Sequence, residues 1–360
     1  MKRNFGIDLL RGISILFVII HHLALPFRLP LKTGPIGEIL PAFIINGISF
    51  NGYESVFIFF VISGFLITSR CLNKYGSLQN IKIKEFYFQR SKRIFPLLLI
   101  LLFVLSILHF LGIPEYVFNK ENQSLAMAIF SALTMHLNWY EGYTQSWLPG
   151  SWDVLWSLSI EETFYVAFPI MILLLRKNSL IISFLFVLAL SLPWTHAAII
   201  NNPIWQEKAY LPGMSAIAIG VIAALLKKHW DFDKKMGMIY SCLGWIGIVA
   251  IFFFGKFMWN IFKDGTLLLL CIFVTFILIN FDKYPITPKK GLLWLAKMGE
   301  LSYELYLTHM FIVFGVCRIY KNILGDDLRW GFLTYIPMLY CCYYLAFFIE
   351  RKITYMNGKK

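Results

Sequence analysis

Apolar runs separated by short charged stretches organise the chain. They fall at roughly 9–26, 55–70, 94–111, 125–138, 154–175, 179–194, 211–226, 236–254, 265–281, 302–319 and 331–349. A helix needs about 20 mostly apolar residues to cross a bilayer, and most of these runs approach that length. The run at 125–138 is short and polar at both ends, as re-entrant or interfacial segments are. The pattern predicts an all-α fold: a polytopic membrane helical bundle of about ten transmembrane helices plus one re-entrant or interfacial segment. No internal repeat or low-complexity tract breaks it.

Composition supports this picture. The chain is 58% hydrophobic and 15% charged, with a mean hydropathy of +0.67, whereas soluble domains carry about 25% charged residues. Spans consume nearly all of the 360 residues. One membrane domain over 1–350 and a basic cytoplasmic tail over 351–360 are therefore expected, with no room for a soluble domain. Asp8 and Arg11 interrupt the first apolar stretch and no small-residue cleavage site follows it, so it does not read as a cleavable signal.

The net charge of +13 raises nucleic acid as a partner, but the distribution argues otherwise. Basic clusters occupy Lys2-Arg3, Arg70 to Arg93, Arg176-Lys177, Lys227 to Lys235, Lys283 to Lys297 and Arg351 to Lys360. If 125–138 does not cross, all of them, with Arg11, share one side, which then holds 24 of the 33 Lys and Arg. This is the positive-inside pattern, and it predicts cytoplasmic termini. The expected partners are membrane lipid and an anionic substrate, not nucleic acid. The six cysteines (Cys71, Cys242, Cys271, Cys317, Cys341 and Cys342) have no metal-ligand spacing, and no disulfide is expected.

Ionisable residues within spans are costly and usually face a polar cavity. Asp8 and Arg11, three residues apart, share a helix face. His22 follows Arg11 by eleven residues, about 16 Å along the same side. The plainer alternatives are headgroup anchoring by Arg11 and helix bonding by His21 or His22. Ser63-Gly64 sits near the centre of the second span, where a small pair suits a helix crossing or room for a substrate. Arg90 and Arg93 stand at helical spacing beside Phe86-Tyr-Phe and suit a phosphorylated ligand. Glu161 and Glu162 are adjacent within a span, about 100° apart, so a cavity or an ion pair must take one of them. His309 lies roughly 10 Å or more into the tenth segment, near the depth of His22. The stretch 138–153, rich in Trp, Tyr, Asn and Gly, suits a lid or sugar-facing surface, or an aromatic belt. The remaining histidines, His109, His136, His196 and His229, lie near span ends or in loops and are given no chemistry.

Five motifs occur in order: Arg11 with His22; Ser63-Gly64-Phe65-Leu66; Arg90-x-x-Arg93-Ile-x-Pro96; Trp156-Ser-Leu-Ser-x-Glu-Glu-x-Phe-Tyr165; and Ser302-Tyr-x-Leu-Tyr-Leu-x-His309. Together they resemble the acyltransferase-3 family of integral membrane O-acyltransferases, over nearly the whole chain. One stretch departs from the family pattern: no basic residue follows the Pro of Tyr210-Leu-Pro-Gly-Met before Lys227. The resemblance implies transfer of acetyl or another short acyl group, usually from acyl-CoA, to hydroxyls of cell-surface polysaccharide, lipopolysaccharide, peptidoglycan or small glycosides. It also implies a bacterial inner (cytoplasmic) membrane location.

Acyl transfer to an alcohol needs a base and stabilisation of an oxyanion. On this reading Arg90, Arg93 and Arg11 hold the phosphates of acyl-CoA, most simply acetyl-CoA, as a donor substrate and not a resident cofactor. His22 is the general base. His309 is a second base, relay or oxyanion partner. Glu161 or Glu162 orients a histidine or binds the glycan or glycolipid acceptor. Ser63 is the candidate for a covalent route, although no base neighbours it in sequence. A proton-coupled transporter or flippase for a glycolipid or small metabolite is the alternative class, since buried His, Arg and Glu suit it as well.

Overall fold

A computed structural model describes residues 3–26, 34–198, 202–227 and 229–356. Lys2, Lys228 and positions 357–360 of the basic tail lie outside the described residues. Among the described residues there is no β-strand. Nine helices among the described residues are long and apolar enough to cross a membrane. They are built on α1 (Phe5–Ala24), α2 (Gly52–Tyr75), α3 (Ile83–Phe110), α6 (Leu155–Leu175), α8 (Tyr210–Leu226), α9 (Lys234–Phe253), α11 (Gly265–Lys283), α13 (Ser302–Leu324) and α14 (Tyr335–Met356). Shorter helices intervene: α4 (Leu125–Leu133), α5 (Leu137–Thr144), α7 (Asn178–Leu190), α10 (Gly255–Phe262) and α12 (Leu293–Glu300).

The segment at 125–138 becomes α4, nine residues long. At about 14 Å it cannot cross a bilayer. The apolar run at 179–194 gives only the 13-residue α7, because Pro193, which lacks an N–H, opens a separate short helix at Leu192–Ala197. Among the described residues, nine helices of spanning length, with α7 as a shorter tenth apolar helix, agree with the bundle of about ten read from the sequence.

Local chemistry sets the helix ends. Asn4 caps α1 by accepting the Gly6 and Ile7 N–H groups at 3.1 and 3.3 Å. Its amide donates to Phe281 O at 2.6 Å, tying the start of α1 to the end of α11. Gly76, at φ +76°, terminates α2. Lys227 reaches Asp282 at 2.9 Å, and Gln79 reaches Arg176 O at 3.0 Å. These contacts bring the basic clusters after α2, α6, α8 and α11 to one end of the bundle.

Helices in lipid pack through close approach, because hydrocarbon offers no hydrophobic drive between them. α2 and α8 cross at Gly64 and Gly220. A Cβ added at Gly64 would lie 2.0 Å from Ile217 O, and one at Gly220 would lie 2.0 Å from Val61 O. α1 and α12 meet in the same way at Gly12 and Gly299. The main core forms around these crossings, with Leu10, Ile15, Val18, Phe65, Ile217 and Val221 fully buried.

The stretch 138–153 is a folded cap. Lys208, 1% exposed, donates to Glu141 at 2.6 Å and also bonds Asp153, with the Trp147 ring centroid 4.3 Å away. Asn138 donates to Lys208 O at 2.7 Å. Trp152 is fully buried, while Trp139 and Tyr143 stack at 5.2 Å on the exposed face.

Candidate active site

At the basic end a cavity of about 150 Å³ opens between α1, α2, α3, α6 and α13. Four guanidiniums line it: Arg11 from α1, Arg70 from α2, and Arg90 and Arg93 from α3. Arg11 donates to Ser302 Oγ at 2.7 Å and lies 3.8 Å from Asp8, the i,i+3 pair expected from their shared face. The Arg90 guanidinium sits 4.7 Å from the Tyr165 ring centroid, a cation–π contact. Against four cations the cavity sets one carboxylate, Glu161. Its net field is positive, which suits a polyanionic ligand.

Further in, Ser63, Tyr165 and Glu161 form a chain. Tyr165 donates to Glu161 Oε2 at 3.1 Å, and its hydroxyl also bonds Ser63 Oγ. The pair Ser63-Gly64 thus divides its work. Gly64 makes the crossing with α8, and Ser63 faces the cavity. The two glutamates part as well. Glu161 faces the cavity, while Glu162 turns toward Phe95, Leu98 and Met135 on the far side of α6. There its Oε1 is buried without a partner. Glu161 is bonded to Tyr165 and to neither histidine.

Tyr306 and Leu307 close the deep end of the cavity. His309 follows within a turn and is fully buried. Its Nδ1 lies 2.8 Å from Tyr306 O and 3.1 Å from Leu305 O, and its Nε2 lies 3.3 Å from His22 Nδ1. His22 Nδ1 lies 2.8 Å from Val18 O. Carbonyls only accept, so the network assigns the proton to Nδ1 on both rings. His309 Nε2 then accepts from His22, and His22 Nε2 carries a free lone pair. Ser157 donates to the Tyr306 hydroxyl at 2.8 Å, leaving that hydroxyl's own proton available.

The structure therefore gathers Arg11, Ser63, Arg90, Arg93 and Glu161 on one cavity, joins His22 to His309 just beyond it, and leaves Glu162 outside. A family model described as "Acyltransferase domain" matches residues 4–349.

The chain belongs to the acyltransferase-3 family.

Its similar relatives include a Staphylococcus aureus (strain MSSA476) protein named "Putative O-acetyltransferase SAS0844". That protein is 28% identical over 352 residues, covering 89% of this chain and 52% of the relative. The O-acetyltransferase OatA of Staphylococcus aureus (strain NCTC 8325 / PS 47) is 27% identical over 333 residues, covering 88% and 51%. The chain spans about half the length of the curated relatives it matches. No solved structure matches it significantly.

Some residues of this cavity carry little or no signal in the sequence. In the sequence Arg70 reads only as part of a topological charge cluster, yet it follows Ser63 by seven residues, two helical turns on the same face. Tyr165 follows Glu161 by four, which likewise puts both on one face. Tyr303, Tyr306 and Ser302 carried no signal beyond their place in the last motif. The partners of Lys208 had none at all.

Proposed function

We propose that the protein is an integral membrane O-acetyltransferase that moves an acetyl group from cytoplasmic acetyl-CoA to a hydroxyl of a cell-surface polysaccharide or lipopolysaccharide sugar. Its place is the bacterial inner (cytoplasmic) membrane, with both termini and the arginine cavity on the cytoplasmic side, where the basic excess belongs. One observation carries this reading: a cavity lined by four guanidiniums ends within a helical turn of two histidines in contact. The phosphates of acetyl-CoA match the guanidiniums, and the histidines match the need for a base.

In this mechanism Arg11, Arg70, Arg90 and Arg93 hold the phosphates. The pantetheine arm extends past Ser63 toward Tyr306. His22 Nε2 takes the proton of the acceptor hydroxyl as its oxygen attacks the thioester carbon. The Tyr306 hydroxyl donates to the developing oxyanion. The C–S bond breaks, and the thiolate recovers a proton from the imidazolium. His309 accepts from His22 Nδ1 and disperses the charge formed on it. Transfer is direct, since Ser63 bonds Tyr165, which in turn donates to Glu161, with no histidine beside it to act as its base.

The test combines two assays. Purified protein is given acetyl-CoA and the released thiol is measured. Surface polysaccharide from cells with the wild type, with His22→Ala and with no protein is compared by mass spectrometry. An acetyl mass increment with the wild type alone supports the proposal. Identical polysaccharide in all three, with no thiol release, overturns it and favours a carrier.

A further inference from the structure

A second cavity, of about 430 Å³, lies between the start of α2, the Leu192–Ala197 helix, α10 and the start of α11. Glu54 in its wall precedes Ser63 by nine residues on α2, about 14 Å, and on the side away from Arg70. No residue lines both cavities.

Buried polar atoms are nearly always bonded. Here two are not: the Tyr53 hydroxyl and Glu54 Oε2 are buried without a partner. Two polar neighbours in the wall are already engaged. His196 Nδ1 lies 2.6 Å from Asp264, and Asn51 donates to Phe252 O at 3.0 Å. Leaving a carboxylate oxygen and a phenol unsatisfied is costly, and both side chains belong to the wall of an open cavity, which points to a ligand that supplies donors. The walls add aromatic surface. The Tyr53 ring stacks on Trp156 with centroids 6.1 Å apart, and Trp259 is 42% exposed. Lys256 also lines the space, so its charge is near balance, unlike that of the four-arginine cavity.

An accepting carboxylate oxygen, a phenol and aromatic faces together fit a pyranose. Its hydroxyls donate, and its C–H faces pack on rings. We infer that this cavity is a subsite for a neutral, hydroxyl-rich sugar unit of the acceptor, distinct from the unit that is acylated. Neither His22 nor His309 lines it, so a sugar seated here is not the one whose hydroxyl meets the base. The inference rests on the acyltransferase reading above and adds to it a specificity determinant away from the reaction centre.

The probe is oligosaccharide released from the surface polysaccharide of cells lacking the protein. Its binding to detergent-purified full chain is measured without acetyl-CoA, by saturation-transfer NMR and thermophoresis. CoA binding is measured on the same samples. Glu54→Gln should weaken oligosaccharide binding about tenfold, the scale of one hydrogen bond to a charged group. Tyr53→Phe and Trp259→Ala should each weaken it several-fold, with CoA binding kept. Trp259 sits at an exposed wall, so its variant serves if Glu54→Gln folds poorly. Unchanged oligosaccharide binding in these variants overturns the subsite. So does parallel loss of CoA binding, or a wild type that turns over acetyl-CoA yet does not bind the oligosaccharide. Failure of the wild type to turn over acetyl-CoA at all counts instead against the transferase reading.

Discussion

His309 Nε2 lies 3.3 Å from His22 Nδ1 although 287 residues separate them in the chain. Both rings are pinned by backbone carbonyls one turn back on their own helices. The pair is thus held by α1 and α13, and its geometry does not depend on a flexible loop. His22→Ala should lower kcat by about 10²- to 10⁴-fold, the usual worth of a general base, with the KM for acetyl-CoA nearly unchanged. His309→Ala should cost less, because His22 Nε2 remains. Thiol-release kinetics check both. A His22→Ala enzyme at wild-type rate removes that ring from the chemistry.

The arginines call for the opposite signature. Arg90→Ala and Arg93→Ala should each raise the KM for acetyl-CoA ten- to a hundredfold, matching about 1.5–3 kcal/mol for a hydrogen bond to a charged group. Their kcat should change little. Arg70→Ala should behave alike, which tests a role taken from the cavity lining alone. Unmoved KM values would separate the cavity from the donor.

Ser63→Ala should retain activity within about tenfold, and no acetyl adduct should be found on the wild-type chain by intact-protein mass spectrometry after rapid quench. An abolished rate together with a trapped adduct at Ser63 would establish the covalent route. Tyr306→Phe removes one oxyanion donor and should lower kcat about 10²- to 10³-fold.

Stability should respond at Gly64 and not at its neighbour. A methyl there meets Ile217 O at 2.0 Å, backbone against backbone. Gly64→Val should therefore abolish the folded protein, or sharply lower its thermal midpoint in detergent, while Ser63→Ala leaves the midpoint in place. A Gly64→Val protein that melts like wild type would refute the tight crossing of α2 and α8.

The Lys208 cluster sets a second stability test. Removing the lysine strands Glu141, which is 0% exposed. Lys208→Ala should cost about 3–5 kcal/mol, the penalty for breaking a buried ion pair from one side. Lys208→Ala with Glu141→Gln should recover part of that loss. Limited proteolysis in the 138–153 cap reports it, since the cap is what the cluster holds down.

Much of this site was legible in the sequence because its spacings are local. Arg11 to His22, Arg90 to Arg93 and Asp8 to Arg11 are intervals along single helices. In a bilayer a helix satisfies its own backbone, so it forms from its own sequence whatever its neighbours do. Length and charge distribution pointed to the spans and to 125–138 as a non-crossing segment in the same way. The short α7 was less legible, because Pro193 shortens a run that composition alone leaves apolar.

What only the tertiary structure decided is rotation and partnership. Glu161 and Glu162 are indistinguishable in sequence, and the packing of α6 against α3 and α2 turned one to the cavity and buried the other. Matching depth does not make two histidines touch; that required α1 and α13 to be neighbours at one rotation. Lys208 found Glu141 and Asp153 across 67 and 55 residues, with no periodicity to announce it. The sequence by itself determined which segments are helices and which residues share a face. Contact between faces was decided by backbone approach at Gly64, Gly220, Gly12 and Gly299, a steric fit between distant segments that no local interval encodes.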